Sequence, residues 1–368
     1  MKGIGRFVSY IILGINVFFV IMLVLSAYSP YLHPQRFSFA SCLGLVFPVF
    51  LAINLCFLVF WIVFNFRYAL FSLLGLLICF SQILTYFPIN SRTEEIPEGS
   101  IKLLSYNVMG FNGLMKKEGK NPILSYVANS GADIICLQEY AYSGNERYLT
   151  KQDIFKALKE YPFHFIGKHG KGDAELACFS KFPILSAKAV DYESNYNGSM
   201  QYVLKVNNDT LLLINNHLES NKLTMQDRGM YEDMIDAPDA KKVKWGARLL
   251  LNKLAEASAI RSYQADSVAN VIERSRYSMM IVCGDFNDAP ISYTHRVLTR
   301  KLDDAFTKSG RGLGISYNRN KFYFRIDNIL ISPDLKAYNC TVDRSISDSD
   351  HYPIWCYINK KSVRKPDV

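Results

Sequence analysis

The chain has 368 residues, with 42 bases against 33 acids, enough for one large domain or two ordinary ones. The charge is unevenly placed: the first 100 residues hold only Lys2, Arg6, Arg36, Arg67 and Arg92 as bases and Glu94, Glu95 and Glu98 as acids. Eight cysteines form no CxxC pair and no His/Cys cluster at zinc spacing, which excludes a zinc finger or ribbon, and the odd number beyond residue 100, five, argues against a disulfide framework.

Three apolar runs open the chain, at 7–28, 39–66 and 68–89. Each exceeds the ~20 residues that a helix needs to cross the hydrocarbon core. None holds an internal Lys, Arg, Asp or Glu, as expected for helices facing lipid. The first run is too long for a signal-peptide core and two further runs follow it. The lack of internal charge also speaks against a transporter or channel. Residues 1–90 are therefore expected to be a membrane anchor of three transmembrane helices. Lys2, Arg6 and Arg67 flank one side, while Arg36 and Arg92 flank the other. Positive-inside counting then leaves the N-terminus inside and places the rest of the chain on the extracytoplasmic side of the membrane. Residues 91–100, with Pro97 and Gly99, form a linker. A tether of this length reaches at most ~40 Å, so the following domain stays close to the bilayer.

From residue 101 the pattern changes to alternating strands and helices. Strands are expected at 101–107, 133–138, 174–179, 202–206, 211–216, 279–283, 322–332 and 354–358. Helices are expected at 121–129 and 246–274. Cys136 and Cys283 fall in the strand-like runs, where a buried free thiol is the simple reading. This arrangement suggests an α/β domain over 101–360, with two mixed β-sheets packed as a sandwich and helices outside, a four-layer α/β/β/α order. Residues 361–368 make a basic tail. The part beyond residue 100 carries 37 of the bases and 30 of the acids, a mild positive balance that suits a polyanionic substrate or an anionic membrane surface.

Polar residues recur at the ends of the apolar runs. Asn107 closes Ser105-Tyr106-Asn107, and Glu139 closes Leu137-Gln138-Glu139. His217 lies in Asn216-His217-Leu218, and Asp285 and Asn287 lie in Gly284-Asp285-Phe286-Asn287. Asp327 ends Arg325-Ile326-Asp327, and Asp350 and His351 lie in Ser349-Asp350-His351-Tyr352-Pro353. Singly, such residues often cap turns. Together they hold what phosphate-ester hydrolysis requires. Carboxylates can bind a divalent cation. A further group must take a proton from water, and donors must face the charge that develops on phosphorus. Glu139, Asp285 and Asp350 supply carboxylates, Asn107 and Asn287 supply neutral amides, and His217 and His351 can carry a proton near neutral pH.

In this order the motifs resemble the endonuclease/exonuclease/phosphatase superfamily, over about residues 101–358. The resemblance implies Mg²⁺, with Mn²⁺ as an admissible substitute, held by Glu139 beside Asn107 and Asp350. It implies that Asp285 positions and deprotonates the attacking water and that Asn287 holds the scissile phosphate. His351, oriented by Asp327, would stabilise the phosphorane, and His217 matches a second catalytic histidine. Glu175 is a candidate partner for His217. The substrate implied is a phosphodiester, in nucleic acid or a phospholipid headgroup; alternatives are a phosphomonoester of inositol or lipid phosphates, and a non-catalytic binding module. Residues 219–245 form an insertion that mixes Lys222, Arg228, Lys241, Lys242 and Lys244 with Met225, Met230, Tyr231, Met234 and Trp245. A segment of this length next to His217 reads either as a binding loop for substrate or bilayer or as a solvated insertion. Arg261 and Gln264 read as structural.

Overall fold

Along 101–107 and 209–217 the apolar side chains alternate between two faces, as a strand demands. Ile101 and Leu103 pack into one core while Leu104 and Tyr106 pack into another; Leu211 and Leu213 likewise separate from Leu212 and Ile214. Strands that are apolar on both faces must be covered on both, which dictates a sandwich with helices outside. The computed structural model describes residues 2–168, 175–194, 197–236, 239–317, 319 and 322–361. The basic tail expected at 361–368 lies outside the described residues, apart from Lys361.

The strands are β1 (Ile101–Asn107), β2 (Ile134–Tyr140), β3 (Phe163–Lys168), β4 (Glu175–Ser180), β5 (Ile184–Ala189), β6 (Gly198–Val206), β7 (Asp209–His217), β8 (Met279–Asp285), β9 (Asp303–Asp304), β10 (Asp327–Ile331), β11 (Leu335–Val342) and β12 (Ile354–Lys360). They form two six-stranded sheets, ordered β11-β12-β1-β2-β4-β3 and β5-β6-β7-β8-β10-β9. Both are mixed: β1 pairs with β2 and β7 with β8 in parallel, and the other named pairs are antiparallel. Between the sheets lie Leu103, Cys136, Tyr202, Leu213, Ile281 and Ile329. The helix Pro122–Ala128 covers the outer face of the first sheet through Ile123 and Val127. The long helix Ala240–Arg274 covers the second through Val268, Ala269 and Ile272. Each fully buried aliphatic side chain contributes roughly 1.5–3 kcal/mol, so these layers supply most of the drive to fold. All eight cysteines are free thiols, and Cys136 and Cys283 are buried.

The expected strand at 322–332 shortens to β10, because Phe322 and Phe324 turn toward the site and only Phe324 makes an isolated bridge, to Tyr317. The insertion at 219–245 is helical over Met225–Asp236 and continues into the long helix from Ala240.

The N-terminal part has two helical stretches long and apolar enough to cross a membrane, Arg6–Tyr31 and Ser38–Phe64. The third expected run is a pair, Phe66–Ile78 and Phe80–Tyr86, bent by 63°. The bend falls at Cys79 (φ −95°, ψ 10°), and the segment beyond it turns toward the sandwich, where Arg325 Nη2 donates to Thr85 O at 2.7 Å. Asn16 joins the helices: Trp61 Nε1 and Ser72 Oγ donate to its Oδ1 at 3.1 and 3.2 Å, and its Nδ2 donates to Ser72 Oγ.

These helices are docked on the sandwich. Arg296 Nε donates to Pro30 O at 2.8 Å, His33 meets Asp266 at 3.3 Å, and Ile291 packs in one cluster with Leu23, Ala27, Phe47 and Cys79. A Cβ on Gly44 would stand 1.9 Å from Ile291 O, so the backbones meet where a side chain has no room. The linker is irregular as expected, and it is pinned: Thr93 and Asn339 exchange two hydrogen bonds of 2.8 Å.

Candidate active site

Parallel pairing of β7 with β8 sets His217 opposite Asp285, and antiparallel pairing of β10 with β8 sets Asp327 opposite Asp285. Three reactive side chains thus stand abreast at one end of the second sheet. From the first sheet, Asn107 ends β1 and Glu139 lies near the end of β2. The β2–β4 register shifts between Leu137 and Tyr140, and Glu139 lies in that irregularity with φ +52°. A bulge re-aims a side chain, and here the carboxylate is 37 % exposed whereas Asp285 is 1 % exposed. The residue before Asp285 must be glycine. Gly284 has φ +123°, and a Cβ there would fall 2.0 Å from Asn216 O.

Asp285 is the hub. Its Oδ1 accepts from Asn287 N at 2.8 Å, and its Oδ2 accepts from Asn107 Nδ2 and Asn287 Nδ2, both at 3.2 Å. His217 Nε2 and His351 Nε2 stand 3.7 and 3.6 Å from the same Oδ2. Burial pushes this carboxyl up, the histidine charges hold it down and Asp327 adds to the rise, leaving it at about 6. His351 Nδ1 lies 2.8 Å from Asp327 Oδ2. Burial disfavours the imidazolium, but Asp327, Asp285 and Asp350 outweigh it and raise the His351 pKa to about 10. Asn287 Nδ2 also donates to Leu218 O at 3.0 Å, which ties the loop after β8 to the end of β7. Asn107 Nδ2 donates to Glu139 Oε1 at 3.0 Å as well. Ser349 Oγ donates to Asn107 O at 2.8 Å and so fixes the loop that carries Asp350 and His351.

All eight expected site residues therefore gather at one end of the sandwich. Glu139, His217, Asp285, Asn287, Asp350 and His351 line a cavity of about 390 Å³. Asn107 and Asp327 stand behind it and hold the others. Glu175 does not pair with His217, whose nearby carboxylates are Glu139 and Asp285 at 3.7 Å; Glu175 is set in register with Tyr140 and Lys168. Arg261, which also lines the cavity, is bonded to Glu219 O, Asn221 and Asp288, and Gln264 accepts from Glu219 N.

Sequence reasoning gave no role to Tyr317 or to a buried chain of Ser105, Gln138 and Asn215. The Tyr317 ring packs edge-on against His351 at 5.1 Å, and Arg228 of the helix Met225–Asp236 lies 6.0 Å from that ring. Gln138 Nε2 donates to Asn215 Oδ1 and Ser105 Oγ, linking the two sheets directly behind the site. An apolar run interrupted by Gln138 and Asn215 at its buried positions was the available signal.

The donor chemistry suits a hard cation. Among the described residues, the cationic groups within 4.0 Å of Glu139, Asp285 and Asp327 are the two histidines. Asp285, Asp327 and His351 offer ligand atoms within 4.8 Å of one another, but Asp327 is engaged by His351 Nδ1. Glu139 and Asp350 face the cavity, where an ion can keep its waters, as Mg²⁺ prefers.

The model of the Endonuclease/Exonuclease/phosphatase family matches residues 104–351. The chain belongs to this family. A second model, Domain of unknown function (DUF8431), matches residues 9–86. No curated protein matches. Solved structures share the fold at low identity. The TDP2 of D. rerio complexed with a single-strand DNA product is 18 % identical with a TM-score of 0.51, over 71 % of this chain and 99 % of that one. The human Nocturnin catalytic domain with bound sulfate is 16 % identical with a TM-score of 0.50, over 74 % and 97 %. An endonuclease/exonuclease/phosphatase of Beutenbergia cavernae is 13 % identical with a TM-score of 0.50, over 71 % and 72 %. Membership of the endonuclease/exonuclease/phosphatase family supports a hydrolase of the phosphoesterase class. The family generally uses a divalent metal, and the apolar N-terminal helices are compatible with membrane association.

Proposed function

We propose that this chain is a membrane-anchored, Mg²⁺-dependent phosphodiesterase. The observation that carries the reading is the arrangement around Asp285: a buried carboxyl at about 6 between two histidines, with two amides aimed at it. Residues 101–360 form the catalytic unit, residues 1–90 the anchor and 91–100 the strap between them, and the charge balance beside the spans favours the extracytoplasmic side.

Glu139 and Asp350, with Asn107 beside them, would hold the cation, which when bound offsets charge on the phosphoryl oxygens. As placed, Asn107 turns its amide nitrogen toward Glu139, so its part is to orient that carboxylate. Asp285 accepts a proton from water as the water oxygen bonds to phosphorus. The His351 imidazolium donates to the phosphoryl oxygens, with Asp327 holding the ring, and Asn287, whose amide hydrogens point to Leu218 O and Asp285 as placed, turns one of them to the phosphate when substrate enters. The opposite P–O bond breaks, and the leaving oxygen takes a proton, for which His217 faces the same cavity.

The test uses the full chain in detergent micelles with bis(p-nitrophenyl) phosphate and p-nitrophenyl phosphate. Diester hydrolysis that EDTA abolishes, that Mg²⁺ restores, and that Asp285→Asn lowers by about 10³-fold is expected. Faster monoester cleavage would turn the reading to a phosphomonoesterase. A folded, Mg²⁺-binding chain that cleaves neither would leave a binding module.

A further inference from the structure

The cavity that holds the catalytic cluster does not end within the sandwich. It continues to Ser41, Cys42 and Leu45, which belong to the stretch Ser38–Phe64, the second candidate span. This junction is built, since Gly44 presses on Ile291 O without room for a Cβ and Ile291 shares a core with Leu23, Ala27 and Phe47. The end near Asp285 is polar. The remaining wall carries Leu45, Leu223, Leu254, Ile291, Phe322 and Phe324, with Ser258, Arg261 and Ser292 set among them. The helix Met225–Asp236 closes over it, with Tyr231 stacked on Phe322 at 4.0 Å and Arg228 facing the cavity.

A pocket with a phosphate-reactive end and an apolar flank matches an amphiphile. Lys222, Arg228 and Arg261 also face the cavity and suit any phosphate ester; a nucleic-acid strand asks for such a groove to run on along its length, whereas here the cavity runs to residues of the chain's own candidate membrane span. Resting on the phosphoesterase reading above, we propose that the substrate is a membrane lipid with a phosphate ester in its headgroup. The phosphate lies at Asp285, Asn287 and His351, and the neighbouring apolar part lies along Leu45, Leu254 and Ile291. The lipid reaches the site from the bilayer beside the second span, so the anchor forms part of the substrate site. Water supplies the oxygen that joins phosphorus, and the lipid-side or headgroup alcohol leaves with a proton.

The full chain is reconstituted in phosphatidylcholine vesicles containing phosphatidylglycerol, phosphatidylethanolamine and phosphatidic acid, and lipid products are read by mass spectrometry. Dibutyroyl forms of the same lipids, a single-stranded oligonucleotide and bis(p-nitrophenyl) phosphate are assayed in parallel. The expected result is kcat/KM on a long-chain lipid at least about tenfold above both its dibutyroyl form and the oligonucleotide. Leu45→Asp should lower the long-chain to short-chain ratio by about tenfold or more. Leu254→Asp, from the other wall, should do the same, which covers the case in which one variant fails to fold. Equal rates on long and short chains, a ratio untouched by both folded variants, or preference for the oligonucleotide overturns the lipid assignment while bis(p-nitrophenyl) phosphate cleavage keeps the phosphoesterase reading. Silence on every substrate overturns both.

Discussion

Glu139 and Asn287 share a backbone conformation that L-residues avoid, each with φ near +52°. The left-handed region costs roughly 1–2 kcal/mol for a non-glycine residue, and the cost at Glu139 is accepted at a bulge that turns its carboxylate into the cavity. Replacing it separates the two effects. Glu139→Gly should be more stable than Glu139→Ala by about 1 kcal/mol, as read by thermal melts of the full chain in detergent, while both lose metal-dependent hydrolysis. Equal stabilities would mean that the strain is not borne there. The titrations at this scale also have a definite sign. In the proposed mechanism Asp285 acts as a base only when ionised, and its carboxyl stands at about 6; His351 acts as a donor only when protonated, and it stands at about 10. Thus kcat/KM should climb up to about pH 6 and fall again toward about pH 10. The acid limb should vanish from the residual rate of Asp285→Asn, and a flat profile in the wild-type chain would refute these assignments.

At the scale of elements, what places the site is pairing register and what secures it is buried charge. Asp304, the last residue of β9 and the N-cap of helix Ala305–Ser309, is buried and accepts from Arg325 Nη1 at 3.0 Å, His295 Nε2 at 3.1 Å and Thr307 Oγ1 at 2.7 Å. Burial would raise its pKa, but Arg325 and His295 together hold it far below the usual carboxylate range. A depressed folded-state pKa gives stability that is present above the unfolded value of roughly 4 and is lost as pH falls below it. Asp304→Asn should therefore cost about 3–5 kcal/mol at neutral pH, since it strands Arg325 in the interior. It should also flatten the fall of melting temperature between about pH 4 and 2. A variant as stable as wild type at pH 7 would show that this cluster is not a structural anchor. The same cluster meets the N-terminal helices, because Arg325 Nη2 donates to Thr85 O.

At the scale of the whole molecule, the apolar helices and the sandwich share an interface rather than a loose tether. Gly44→Val should part them at Ile291 and expose the strap at 91–100. Limited proteolysis of the full chain should then cut within 91–100 several-fold faster than in wild type; an unchanged rate would place the docking strength elsewhere. The sandwich, its outer helices and the reactive residues at strand ends were legible in sequence because their cause is local. Apolar alternation announces a strand buried on its faces, and Asn107, Glu139, His217, Asp285, Asp327 and His351 each border such a run. The strands β3 and β5 were not legible, since their side chains are largely exposed or half-buried and a strand held by backbone pairing leaves little hydrophobic pattern. Nor was the bend at Cys79 or the wall formed by Ser41, Cys42 and Leu45. Those depend on where residues some 250 positions apart in the chain, such as Gly44 and Ile291, come into contact. By itself the sequence determined the layers, the apolar helices and which polar residues end the strands, through the local match of side-chain pattern to secondary structure. Their convergence on Asp285, and the joining of that cavity to the second span, were decided by tertiary packing, because only the assembled fold brings such distant surfaces together.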